Sequence, residues 1–216
     1  MGTKKAKIRN NKSQLVIVGF LIIILGISIV FIDYYTNKKD KDIEEKSLEL
    51  FYQEEISDDI IIDEETKEII EEPAEKTTKE QNKAIIDYVA VIKIPKINLE
   101  KGLVDKNSYL NNVNKNIEIL KESSMPNEEN GNFILASHSG NGKTAYFKNL
   151  DKLEYGDNIY VQYNQLQYEY KIVNSYYIEK TGTANIVRNI NKKSITLITC
   201  VPNKNEQLVV IGELVN

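Results

Sequence analysis

Ser194-Ile195-Thr196-Leu197-Ile198-Thr199-Cys200 is an apolar, strand-like run that ends on the only cysteine of the chain. Alternation along a strand sets Cys200 on the same face as Thr196 and Ile198. A second run of the same kind, Asn132-Phe133-Ile134-Leu135-Ala136-Ser137-His138, ends on the only histidine. A thiol and an imidazole are the smallest pair that can carry covalent acyl transfer, the imidazole tuning the sulfur. Taken singly, Cys200 reads as a buried core thiol and His138 as a surface or satisfied histidine.

Around these two runs the sequence has the texture of a β-rich unit. Gly156-Asp157 is a turn leading into Asn158–Tyr163, and Asn164-Gln165 is a short turn before the alternating strand Leu166–Val173, which makes a hairpin. Leu208–Leu214 closes the chain as a further strand. Val113–Glu122 has the spacing of a short helix that stops before Met125-Pro126, and Thr144–Leu150 looks like a second one. Many short strands with turn signals predict a mainly β domain, a closed barrel or a sandwich, over residues 84–216.

The rest of the 216 residues is organised differently. Leu15–Ile32 carries no charge and is long enough for a membrane-spanning helix. Residues 1–14 hold Lys4, Lys5, Lys7, Arg9 and Lys12 without an acid, whereas charges after Ile32 are mixed. The positive-inside rule keeps such an N-terminus in the cytoplasm and sends the remainder outside. The apolar run is longer than a signal-peptide core, and Phe31-Ile32-Asp33-Tyr34-Tyr35 offers no small-residue cleavage site, so an uncleaved anchor is expected. Residues 33–83 are rich in acids and read as a disordered or partly helical tether. Ile60-Ile61-Ile62 and Ile69-Ile70 are its apolar exceptions, and the alternative to a solvated stalk is that one of them docks on the domain as a lid.

A net charge of −4 gives no basic field for nucleic acid. One cysteine cannot form an internal disulfide, and one histidine with one cysteine is no zinc set, so no metal and no cofactor is expected. Glu128-Glu129 could bind calcium, but such pairs are usually solvated. Lysine is used almost to the exclusion of arginine, which appears only at Arg9 and Arg188.

In their contexts the two runs resemble a known family. Leu135-Ala136-Ser137-His138, Tyr146-Phe147-Lys148-Asn149-Leu150 with Leu153, Gly156-Asp157 and Thr196-Leu197-Ile198-Thr199-Cys200 resemble the sortases, as does the opening Val91-Ile92-Lys93-Ile94-Pro95-Lys96-Ile97. The resemblance spans residues 88–215. It implies a closed eight-stranded β-barrel with short helices, following the N-terminal transmembrane helix and acidic linker. It also implies a membrane-held cysteine transpeptidase. Cys200 would attack the carbonyl of a Leu-Pro-x-Thr-Gly-like sorting signal on a surface protein or pilin. His138 would protonate the leaving amine and later take a proton from the incoming one, an amine of a peptidoglycan precursor or a pilin lysine.

Two positions depart from the family pattern. Ser137 stands where glycine usually precedes the histidine, a change that could tighten the loop. The family's arginine, at the start of the strand after the cysteine, aligns with Gln207. An amide can serve as an oxyanion donor, so Gln207 is the third candidate. Lys204 and Arg188 are alternative cations, and a catalytically weak or inactive tethered binding module is the alternative function. A different extracellular cysteine peptidase is a further alternative, though papain-like enzymes place the cysteine ahead of the histidine and at a helix start.

Overall fold

The computed structural model describes residues 5–57 and 85–215. One long helix, α1 (Lys5–Ser57), is followed by eight strands. These are β1 (Ala90–Ile94), β2 (Leu99–Leu103), β3 (Glu118–Ile119), β4 (Asn132–Ala136), β5 (Asn158–Tyr163), β6 (Leu166–Glu179), β7 (Ser194–Cys200) and β8 (Glu206–Leu214). The chain divides into two compact units, Met1–Glu45 and Lys46–Asn216.

In the first unit the described side chains from Leu15 to Ile32 are exposed all round the helix, and the helix is long and apolar enough to cross a membrane. A helix apolar on every face has no water-facing side, which suits lipid. The helix does not stop at Ile32 but continues to Ser57, through the first part of the acidic segment. Its last turns belong to the second unit, where Ser47 is buried and its Oγ accepts the Ile86 N–H at 2.9 Å. Tyr52 donates its hydroxyl to Glu100 at 2.9 Å. The apolar pieces Ile60–Ile62 and Ile69–Ile70 lie outside the described residues.

All eight strands form one sheet in the order β2-β1-β5-β6-β8-β7-β4-β3. It curls into a nearly closed barrel. Asn116 bridges towards the open edge, donating from Nδ2 to the Gly102 carbonyl on β2 at 3.0 Å. Adjacent strands are antiparallel except β4 and β7, which run side by side in the same direction. The β5–β6 turn is two residues long, with Asn164 at φ 49° and Gln165 at φ 62°. Two left-handed residues in succession are what a type I′ hairpin needs.

Alternation sorts the strand residues into two apolar clusters. Ile92, Leu135, Ile195, Leu197, Leu208, Val210, Tyr170, Phe133 and Phe147 fill the barrel interior. At about 1.5–3 kcal/mol for each large side chain fully removed from water, this interior is the main source of stability. Ile134, Ile198, Val209 and Ile211 lie on the outer face, packed against Leu120, Val173, Tyr176, Ile178, Ala184 and Ile186. Burial pushes the Tyr170 phenol well above its ordinary pKa.

Three expectations about secondary structure need correction. Val113–Glu122 is not a helix: it forms turns and then the short strand β3. The reason lies in Asn111, Asn112 and Asn116, whose side chains bond backbone groups and so compete with helical hydrogen bonding. Thr144–Leu150 is a string of turns, followed by a single 3-10 turn at Leu150–Lys152. The hairpin strand runs on past Val173 to Glu179, with a register shift between Ile172 and Asn174.

Candidate active site

The parallel pairing of β4 with β7 builds the site. Asn132 to Ala136 pair in turn with Ser194 to Ile198, every partner 62 residues apart. Past Ala136 the chain keeps this course, since the Ser137 N–H donates to the Ile198 carbonyl at 3.2 Å. Thr199 donates its hydroxyl back to the Ser137 carbonyl at 2.8 Å. The same 62-residue offset relates His138 to Cys200, one residue beyond this pair of bonds.

Both residues are pinned. The loop after His138 is tied to the cysteine itself, because Ser139 donates its hydroxyl to the Cys200 carbonyl. The His138 carbonyl accepts the Phe147 N–H at 3.2 Å. Ser137, in the place of the family's usual glycine, is buried and donates to the Thr144 carbonyl at 3.2 Å, which fastens the Gly140–Gly142 turn. The imidazole is half-buried, and its Nε2 lies 3.0 Å from Asn114 Oδ1.

Cys200 is a free, half-buried thiol. It follows Ile198 on the same face of β7, and Ile198 belongs to the outer-face cluster against which Ala184 and Ile186 pack. On the other side of β7 a pocket of ≈ 130 Å³ reaches Cys200, lined by Ser139, Phe147, Tyr177, Thr199 and Leu208 among others.

Gln207 is the β8 residue directly opposite Cys200. The Val201 N–H donates to the Glu206 carbonyl at 2.9 Å, which makes 201/206 a hydrogen-bonded pair and 200/207 the close, non-hydrogen-bonded kind. Such pairs hold their Cα atoms about 4.5 Å apart with side chains on one face. Among the described residues the Gln207 amide has no side-chain hydrogen bond.

The alternative cations are elsewhere or engaged. Lys204 is exposed in the β7–β8 turn and lies 3.6 Å from Glu206. Arg188 spends its guanidinium on the carbonyls of Asn189, Lys192 and Asn130. Those residues flank the starts of β7 and β4, the opposite end of the strands from Cys200.

The sequence reading missed Asn114 and Ser139. Asn114 lies within a run read as helical, although the density of asparagine from 111 to 116 was a visible signal for a side-chain-pinned loop. Nothing in the sequence marked Ser139. Among the described residues no group of three or more His, Cys, Asp and Glu is placed to hold a metal ion.

A barrel with a free cysteine at the end of one strand and a histidine just past the end of its parallel neighbour is one class of fold and site. The sequence model of the Sortase domain matches residues 92–215 of this chain. The chain belongs to the sortase family. It is 32% identical to Sortase A of Bacillus anthracis over 133 residues, 57% of this chain and 58% of that protein. It is 29% identical to Sortase D of Bacillus subtilis (strain 168) over 112 residues, 52% and 54% of the two chains. It thus spans little more than half the length of these relatives. The structure of a Clostridium perfringens Sortase D5 transpeptidase shares the fold, with a TM-score of 0.55 at 24% identity over 83% of this chain and 99% of that one. So does the lid mutant of Sortase A from Corynebacterium diphtheriae, with a TM-score of 0.53 at 24% identity over 59% and 70%.

Proposed function

We propose that this protein is a membrane-anchored cysteine transpeptidase whose N-terminus is cytoplasmic and whose barrel is extracellular. The observation that carries the reading is the β4–β7 register, in which Ala136 pairs with Ile198 two residues ahead of the only histidine and the only cysteine. The Cys200 thiolate attacks the threonine carbonyl carbon of a Leu-Pro-x-Thr-Gly-like sorting signal. Negative charge develops on the carbonyl oxygen, and the Gln207 amide N–H donates to it. The tetrahedral adduct collapses, the Thr–Gly C–N bond breaks, and His138 gives a proton to the departing amine.

A thioester to Cys200 remains. An acceptor amine, of a peptidoglycan precursor or a pilin lysine, gives its proton to His138 and attacks the thioester carbon, and the thiolate leaves. The new amide joins the surface protein or pilin to its acceptor. No cofactor enters this sequence, and nucleic acid has no part in it. The exposed apolar helix near the N-terminus supports the anchor, and the basic residues ahead of it support the orientation.

The lack of a cationic side chain opposite Cys200 favours one other reading, a tethered sortase-like module that binds sorting signals without turning them over. Full-length protein in detergent micelles, incubated with sorting-signal peptides and read by intact mass, decides between them. The transpeptidase gives an adduct of the peptide up to its threonine, lost in Cys200→Ala. Added amine discharges it in the wild type, and His138→Ala slows that discharge. Binding without an adduct establishes the module. An adduct that persists in Cys200→Ala refutes the mechanism.

A further inference from the structure

We propose that Asn114 is a positioning residue for His138, holding the imidazole as the Nε2–H tautomer so that Nδ1 is the nitrogen that exchanges protons with the thiol and the amines. The inference deepens the proposed reaction and rests on it for its kinetic part. The starting point is the contact between Nε2 and Asn114 Oδ1 at 3.0 Å. A carboxamide oxygen only accepts, so the ring nitrogen facing it carries the proton. The other nitrogen is then a lone-pair acceptor in the neutral ring and an N–H donor in the imidazolium. Asn114 is satisfied in both states, so the ring can gain and lose a proton without reorienting.

The loop that carries Asn114, between β2 and β3, is built to hold it still. Asn111 donates from Nδ2 to the carbonyls of Lys106 and Ile119 at 3.1 and 2.9 Å, and accepts the Ile119 N–H at 2.7 Å. The Asn112 side chain accepts the Asn114 N–H itself at 2.9 Å, while its carbonyl accepts the N–H groups of Lys115 and Asn116, both at 2.8 Å. Glu118 accepts the Val113 N–H at 3.2 Å, and buried Asn116 fastens the loop to Gly102. Each neighbouring amide is used on backbone. Asn114 alone of the four asparagines from 111 to 116 turns its oxygen to another side chain, and that side chain is the histidine. A loop with no regular structure, cross-braced in this way, delivers one acceptor to one ring nitrogen.

His138 is the only histidine, so full-length protein carrying 15N-histidine in detergent micelles gives one imidazole to observe. Long-range 1H–15N correlation above the ring's titration reads the tautomer directly. The wild type shows Nε2–H. Asn114→Leu, similar in size but without the acceptor, shows a mixture with a raised Nδ1–H fraction, and Asn114→Asp, which keeps an oxygen at the same place, restores Nε2–H. Loss of one such hydrogen bond corresponds to about 3- to 10-fold slower adduct formation in Asn114→Leu. Unchanged thermal unfolding of both variants separates positioning from loop stability. A wild-type Nδ1–H tautomer, or the same tautomer ratio in Asn114→Leu as in the wild type, overturns the inference. If the peptides form no adduct at all, the reaction falls while the tautomer measurement still decides the role of Asn114.

Discussion

Replacing Gln207 with alanine removes the one side-chain donor that β8 presents directly across from Cys200. The pair is of the close type, so the amide projects from the same sheet face as the thiol. Lys204 is drawn toward Glu206, and Arg188 is bound at the far end of the strands, so neither stands ready to substitute. Loss of a single oxyanion donor costs about 2.7–4 kcal/mol, a hundred- to thousandfold in rate. Single-turnover formation of the Cys200 adduct, followed by quenched intact-mass measurement on the full chain, reads that step without interference from the acceptor. Gln207→Arg puts a charged donor at the same position, and charge-assisted hydrogen bonds are about twice as strong as neutral ones. It therefore gives a rate equal to or above wild type. A Gln207→Ala rate within threefold of wild type refutes the assignment, and the oxyanion must then be met by backbone N–H groups. If Lys204→Ala shows the large loss instead, the cation in the turn is the donor.

Two further predictions concern the barrel. Asn132 Oδ1 accepts from both the Thr196 and Ser194 hydroxyls, at 2.9 and 3.1 Å, in a buried site across β4 and β7. Thr196→Val removes one donor at nearly constant volume and costs about 1 kcal/mol in chemical denaturation, whereas Asn132→Ala strands the Thr196 hydroxyl, leaves Ser194 only its 3.5 Å contact with the Gly131 carbonyl and costs more; the reverse order would show that this network does not hold the parallel pair. The Tyr170 phenol is raised by burial, with Tyr168 adding to the shift, so its stabilising contribution is intact below pH 10 and is lost as pH climbs toward the folded-state value. Tyr170→Phe should therefore gain on the wild type by about 1.4 kcal/mol between neutrality and pH 11, read by denaturation at both pH values, and an equal loss of stability in both proteins would contradict it.

How much of this could be read from residues alone depended on how local the signal was. Strand alternation and the left-handed pair Asn164-Gln165 are local, and they gave the β-rich domain and its hairpin. His138 and Cys200 were legible as candidates because each is unique and each closes an apolar run. The β4–β7 register was not, since parallel pairing depends on the whole barrel. The asparagine-rich loop misled because Val113, Ile117 and Leu120 fall at helical spacing, while the force that wins there is side-chain hydrogen bonding to backbone. The continuation of β6 to Glu179 escaped because Asn174 and Ser175, beside the register shift, interrupt the apolar pattern.

The parallel pairing of β4 with β7 also bears on the order in which the molecule acquires its properties. Two strands 62 residues apart, with the β5–β6 hairpin between them in the chain, are joined only after a long loop has closed, and such non-local pairings form slowly. Until then the thiol and the imidazole belong to separate pieces of chain. A partly folded molecule thus carries its one thiol and its one imidazole on segments that share no register until β4 pairs with β7. The two strand ends that carry them therefore come under one register later than the local β5–β6 hairpin can form.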